Sequence, residues 1–134
     1  MAAGKVVIGG EVVIDGRKLS LSRAIRAGDT VYLTGQMPMK DGAPPTTDDI
    51  AQQTRAVLDV ITDTLTEAGC TRDHIVKAMV CLRDRADFPG FNAVYAEYFP
   101  ENSPARSAVI SDLLVDCRVE IEVIAWHPLP VVMS

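Results

Sequence analysis

From Val119 to Trp126 the chain alternates strictly. Val119, Ile121, Val123 and Ala125 fall on one side of an extended strand, and Glu120, Glu122, Ile124 and Trp126 on the other. Ala105 to Ile110 is a shorter strand-like run that carries one cation, Arg106, with Pro104 before it. Upstream, Ile50, Thr54, Val57, Leu58, Ile61 and Leu65 recur at spacings of three and four. That is the apolar stripe of an amphipathic helix. Thr46 to Asp49 offers capping groups at its start, and Gly69 stops it. Phe91, Val94, Tyr95 and Tyr98 mark a second helix, opened by Asp87 as cap with Pro89 in its first turn, and Phe88, Tyr95 and Tyr98 read as core packing. Between the helices, His74 to Arg83 is nearly all apolar and predicts a central strand covered on both faces.

The first part of the chain predicts strands. Lys5 to Ile8 and Glu11 to Ile14 flank Gly9-Gly10, a hairpin signal, and Asp15-Gly16 marks the next turn. Leu19 to Arg26 and Val31 to Gln36 then pair around Gly28-Asp29. Gly35, at the end of that second strand, serves either as a bulge or as a point of close approach for backbone or ligand. Lys40 to Pro45 is a loop, and His127-Pro128 and Pro130 end the last strand. Two helices on one face of a mostly antiparallel sheet make an α+β sandwich. The 134 residues suit one domain, 1–134.

This layout leaves a face to cover. The strand from His74 places Val76, Ala78, Val80 and Leu82 on one side, and Ile75, Met79 and Cys81 on the other. The helices cover only one side, so other copies of the same sheet are the economical cover for the second. A mean hydropathy of +0.14 points the same way.

Composition narrows the function classes. Net charge is −5 with no Lys/Arg cluster, which counts against nucleic-acid partners held by phosphate contacts. Cys70, Cys81 and Cys117 are an odd number without C-x-x-C spacing, so neither a disulfide framework nor a zinc site is expected. Cys81, in an apolar run, reads as a buried small hydrophobe. No secretory leader or membrane-length apolar run is visible, so the expectation is a cytoplasmic protein with no membrane partner. His74, alone at a strand start, reads as structural.

The chemistry concentrates in the last third. Glu120 and Glu122 lie roughly 7 Å apart on one strand face. In a desolvated site one of them would tend to hold a proton, whereas exposed they form a solvated edge. Arg106 sits among small apolar residues and needs a partner. Its planar fork suits a ligand carboxylate, or equally an internal salt bridge to Glu120 or Glu122. A cation and a carboxylate on paired strands can hold a small anion with a water beside it.

Four blocks in order resemble the Rid family, also called YjgF or L-PSP endoribonuclease-like. They are Ala27 to Gln36, then Asp87 to Asn92 with Tyr95 and Phe99, then Pro104 to Ser107, and Val119 to Ala125. The resemblance covers about Ser22 to Ala125. It implies a chorismate-mutase-like sandwich, a mostly antiparallel six-stranded sheet with two helices on one face, assembled into a homotrimeric barrel with sites in the clefts between subunits. It also implies hydrolytic deamination of reactive 2-imino (2-enamino) acids such as 2-iminobutanoate and 2-iminopropanoate to 2-keto acids and ammonia, without cofactor or metal. By resemblance, Arg106 grips the substrate carboxylate. Glu120 positions the water, helped by a backbone carbonyl near Ala108. Thr34 and Gly35 line the cleft, and Asn92 lies close to it. Two positions depart from the pattern. Leu21 stands where a tyrosine is common, with Arg23 in place of a glutamine, and Ala108 replaces a small thiol or hydroxyl. The changed cleft wall at Leu21 suits a bulkier or different imine, or weak activity on short ones. The alternatives are a trimeric carboxylate-binding module without turnover, favoured by Leu21, and a ribonuclease, disfavoured by charge.

Overall fold

The computed structural model describes residues 4–39 and 42–129. The chain runs β1 (Lys5–Ile14), β2 (Arg17–Ala27), β3 (Thr30–Leu33), α1 (Ile50–Glu67), β4 (Ile75–Leu82), α2 (Phe88–Tyr98), β5 (Ala105–Ile110) and β6 (Val119–Trp126). Short 3-10 turns precede β4 and α2. The strands form one six-stranded sheet in the order β1-β2-β3-β6-β4-β5. Among the described residues only β4 and β5 run parallel; the intervening α2 makes that crossover possible. The expected α+β sandwich is therefore the observed one.

The core lies between the sheet and α1 and α2. Val57, Leu58, Ile61 and Leu65 of α1 are fully buried, as are Val119, Ile121 and Ala125 of β6. Phe91, Val94 and Tyr95 of α2 complete the layer. Asp49 caps α1 by accepting from the Ala51 amide at 2.8 Å. Thr54 and Thr64 are buried on this helix because each hydroxyl donates to the carbonyl four residues back.

Arg118 joins three elements at one end of the sheet. Its guanidinium donates to Asp48 and to Asp87, each at 3.0 Å, at the starts of the two helices. Its own amide donates to the buried Gln53 side chain at 2.7 Å. This ion pair holds the Asp48 carboxyl below the usual carboxylate range.

Several local expectations are corrected. The N-terminal hairpin is one strand, β1, because its partner throughout is β2, and the turn is at Asp15-Gly16. Gly9-Gly10 forms a bulge in it, with Gly9 at φ +86. Alternation in β4 slips at a bulge between Ile75 and Lys77. Ile75 is therefore buried with Ala78, Val80 and Leu82, while Val76 turns out to solvent. Cys81 is only half-buried, on the face away from the helices; Cys70 and Cys117 are the buried thiols. Asp87 makes no side-chain cap; its carboxylate serves Arg118 instead. Phe88 is exposed at the start of α2 rather than packed in the core. Lys40, Asp41 and Pro130, assigned to loop and tail, lie outside the described residues.

His74 has the structural role expected of it. Its Nδ1 accepts from the Thr71 amide at 2.8 Å, and its ring stacks on His127 at 3.8 Å.

Truncation of Leu58 to Ala should cost about 2–5 kcal/mol, the range for a fully buried leucine that leaves a cavity. Urea unfolding should show a lower midpoint at an unchanged slope.

Candidate active site

Arg106 and Glu120 are held by different strands, and β4 lies between them. The expectation that they occupy paired strands is corrected. The register also decides their faces. Arg106 pairs with Ala78, which pairs with Val123, and both are buried against the helices. Glu120 pairs with Cys81, one step out of phase, so it points to the opposite face. A single chain therefore does not bring the two side chains together. The internal salt bridge is also ruled out, since no ion pair to Arg106 occurs among the described residues.

Arg106 is held by α2. Its guanidinium donates to Asn92 Oδ1 at 2.9 Å. It lies 4.7 Å from the centre of the Tyr95 ring, with the Phe91 and Phe88 rings at 5.6 and 5.7 Å. An aromatic shelf of this kind holds a guanidinium by its face and leaves its edge free for an anion. A hollow of about 410 Å³ beside it is lined by Arg106, Ala108, Phe88 and Arg85.

Glu120 lies on the other face of the sheet. The segment after β3 is pinned across β6 by two backbone bonds, Gln36 N to Ile121 O at 2.8 Å and Ile121 N to Gln36 O at 3.0 Å. This lays Gly35 against the Glu120 side chain. A Cβ at Gly35 would sit 2.6 Å from Glu120 Oε2, so only glycine leaves the carboxylate where it is. The Thr34 hydroxyl donates to Ser22 O, and the Thr34 amide to Arg23 O at 3.0 Å. Burial, and then the neighbouring Glu122 carboxylate, raise the Glu120 carboxyl above its ordinary range. Burial and the same two carboxylates raise the Cys81 thiol. A groove of about 780 Å³ contains Glu120, Thr34, Gly35 and Leu21 together.

The seven candidate residues thus fall into two groups: Arg106, Asn92 and Ala108 near α2, and Glu120, Thr34, Gly35 and Leu21 at the groove. Sequence reasoning missed the aromatic shelf under Arg106. The signal was present, since Phe88, Phe91 and Tyr95 recur at helical spacing beside Asn92, but it was taken for core alone.

The profile of the family described as Endoribonuclease L-PSP matches residues 17–127, most of the chain. The chain belongs to this family. A RutC family protein of Pyrococcus horikoshii is 44% identical over 110 residues, covering 78% of this chain and 85% of that protein. The protein named 3-aminoacrylate deaminase RutC in Acinetobacter baylyi is 39% identical over 104 residues, covering 76% and 82%. The crystal structure of yeast Mmf1 superposes with a TM-score of 0.82 at 31% identity, covering 92% of this chain and 98% of that one. Among solved structures of the family is also a Rid protein of Yersinia pestis, at a TM-score of 0.80 and 36% identity, covering 91% and 98%. The fold of this L-PSP chain is the fold of its relatives.

The raised Glu120 carboxyl carries a stability consequence. A carboxyl whose folded pKa lies above its unfolded one stabilises the fold while protonated, and that contribution is lost as pH rises through the folded pKa. Ionised Glu120 therefore opposes folding at neutral pH. Glu120→Gln should raise the melting temperature at pH 7, and the gain should shrink as pH falls into the ordinary carboxylate range. Calorimetric scans of both proteins across that range would check the sign.

Proposed function

We propose that this protein is a hydrolytic deaminase of reactive 2-imino (2-enamino) acids, releasing the 2-keto acid and ammonia. The observation that carries this reading is the pair of half-sites. Arg106 is shelved, oriented and without a carboxylate partner among the described residues, while Glu120 is half-buried, raised in pKa and held beside a glycine. The named activity of the Acinetobacter baylyi relative supports the same reaction class.

In this reading Arg106 binds the substrate carboxylate with two parallel hydrogen bonds. Glu120 takes a proton from water as its oxygen attacks the imine carbon; a raised pKa makes it the better base. The proton passes to nitrogen, giving a carbinolamine; Glu120 then carries the hydroxyl proton to nitrogen, the C–N bond breaks, and ammonia leaves as the carbonyl forms. Thr34, Gly35 and the Ala108 backbone line the site, and Asn92 keeps Arg106 in place. Much of the acceleration is positioning.

Because Arg106 and Glu120 face opposite sides of one sheet, the working site takes them from two copies of the chain. A homotrimer closes three such clefts by one repeated contact. The sheet face away from the helices offers it apolar surface: Tyr32, Trp126 and Val109 are exposed there. Residues 1–134 act as one domain. Cys70, Cys81 and Cys117 are free thiols, which suits a reducing compartment such as the cytoplasm. No helix among the described residues is long and apolar enough to cross a membrane.

The decisive assay generates 2-iminobutanoate or 2-iminopropanoate in situ with an amino-acid oxidase and traps survivors with semicarbazide. Protein should speed imine loss, and Arg106→Ala should reduce kcat/KM by roughly a hundredfold or more. Gly35→Ala should stay folded, since Glu120 can swing aside, yet lose on the order of tenfold in kcat. Mixing Arg106→Ala with Glu120→Gln subunits should restore about a quarter of the sites, because only an interface between two copies can then be intact. No recovery on mixing, or a monomer mass in light scattering, would sink the shared-site reading. Carboxylate binding without turnover of any imine would favour a binding module instead.

A further inference from the structure

The hollow beside Arg106 carries a second cation. Arg85, in the 3-10 turn that leads into α2, lines it together with Arg106. The rest of its lining is apolar, from Leu82, Phe88 and the end of β5, and no carboxylate lines it among the described residues. Arg106, Ala108 and Ile110 occupy alternate positions of β5, and Ile110 pairs with the buried Leu82. The hollow therefore lies on the helix side of the sheet, not on the face proposed for other copies.

The chain has 18 acidic residues against 13 basic ones, so acids are in excess. It spends them on the other arginines near the start of α2. Asp48 and Asp87 bind Arg118, and Asp116 binds Arg83. The acids that flank Arg85 in the sequence are both committed elsewhere. Asp84 accepts from the Ala86 amide at 2.9 Å, and Asp87 accepts from Arg118 at 3.0 Å. Neither Arg85 nor Arg106 has an ion pair among the described residues. Two like charges at one hollow repel, and a molecule with an anionic group at each end relieves both.

We infer that this hollow takes a substrate with two carboxylates, Arg106 holding the one beside the imine carbon and Arg85 the one at the end of the side chain. The protein then prefers 2-imino acids of the aspartate or glutamate type, with Arg85 as the specificity-determining residue. The inference rests on the deaminase reading for the role of Arg106. Arg85 is exposed, so its ion pair with such a substrate is worth up to about fivefold in binding.

D-aspartate oxidase supplies the imine of D-glutamate, and D-amino-acid oxidase that of D-methionine, which has a side chain of similar length and no charge. Semicarbazide competition gives kcat/KM for each. The glutamate-derived imine should be favoured by about fivefold, and the ratio should fall as sodium chloride is raised. Arg85→Gln should remove the preference through KM, Arg85→Glu should reverse it, and Arg85→Lys should recover most of it. Equal kcat/KM for the two imines overturns the proposal. So does a ratio unchanged in Arg85→Gln, or an Arg85→Glu protein whose assembly mass changes while its ratio does not, since Arg85 then serves a second copy instead. If no imine is turned over, the deaminase reading fails and the hollow is judged alone, by calorimetric titration with 2-oxoglutarate and 2-oxopentanoate. Tighter binding of the dicarboxylate by about fivefold, lost in Arg85→Gln, upholds the paired cations, and equal affinities reject them.

Discussion

A strand places successive side chains on opposite faces, and β6 is where that rule governs the molecule. Val119, Ile121, Val123 and Ala125 are committed to the helices, and their burial is what holds the layers together. Glu120 and Glu122 must then face the other way. The same rule, carried through the pairing of β6 with β4 and of β4 with β5, commits Arg106 to the helix face. No side-chain rotation reverses this, because slipping the register by one residue would expose the whole apolar set.

That commitment shapes the surroundings of both candidate residues. On the helix face, Arg106 finds rings and an amide rather than a carboxylate, so its charge is supported without being neutralised. On the open face, Glu120 is squeezed between burial and Glu122, and glycine is required next to it. The fold accepts an unfavourable carboxylate at Glu120 while placing its strong ion pairs elsewhere, at Arg118 with Asp48 and Asp87. Those pairs tie the start of β6 to the starts of both helices. They join Glu120's strand to the start of the helix that carries the aromatic shelf.

Much was legible in the residues. The stripe of α1, the alternation of β6, the turn at Gly28-Asp29 and the sandwich class all follow from periodicities that the backbone imposes locally. Locally ambiguous signals went astray. Gly9-Gly10 reads as a turn, but β2 is long enough to pair with both sides of it, which makes it a bulge. Val76 reads as core until a one-residue bulge in β4 turns it outward. Asp87 has the position of a cap, but Arg118, thirty-one residues away, is the stronger partner. Phe88 has the chemistry of core, yet the core behind it is filled by Phe91 and Tyr95.

For the candidate site the division is sharper. The sequence by itself singled out Arg106 and Glu120 as candidates, because charged side chains are scarce in its apolar strands, while Thr34, Gly35 and Asn92 became candidates only through the family resemblance. It also raised the expectation that one sheet face has a further cover. Only the tertiary structure decided that β4 separates the cation from the carboxylate and sets them on opposite faces. Strand order and register arise from contacts between residues far apart in the chain, and no local period encodes them.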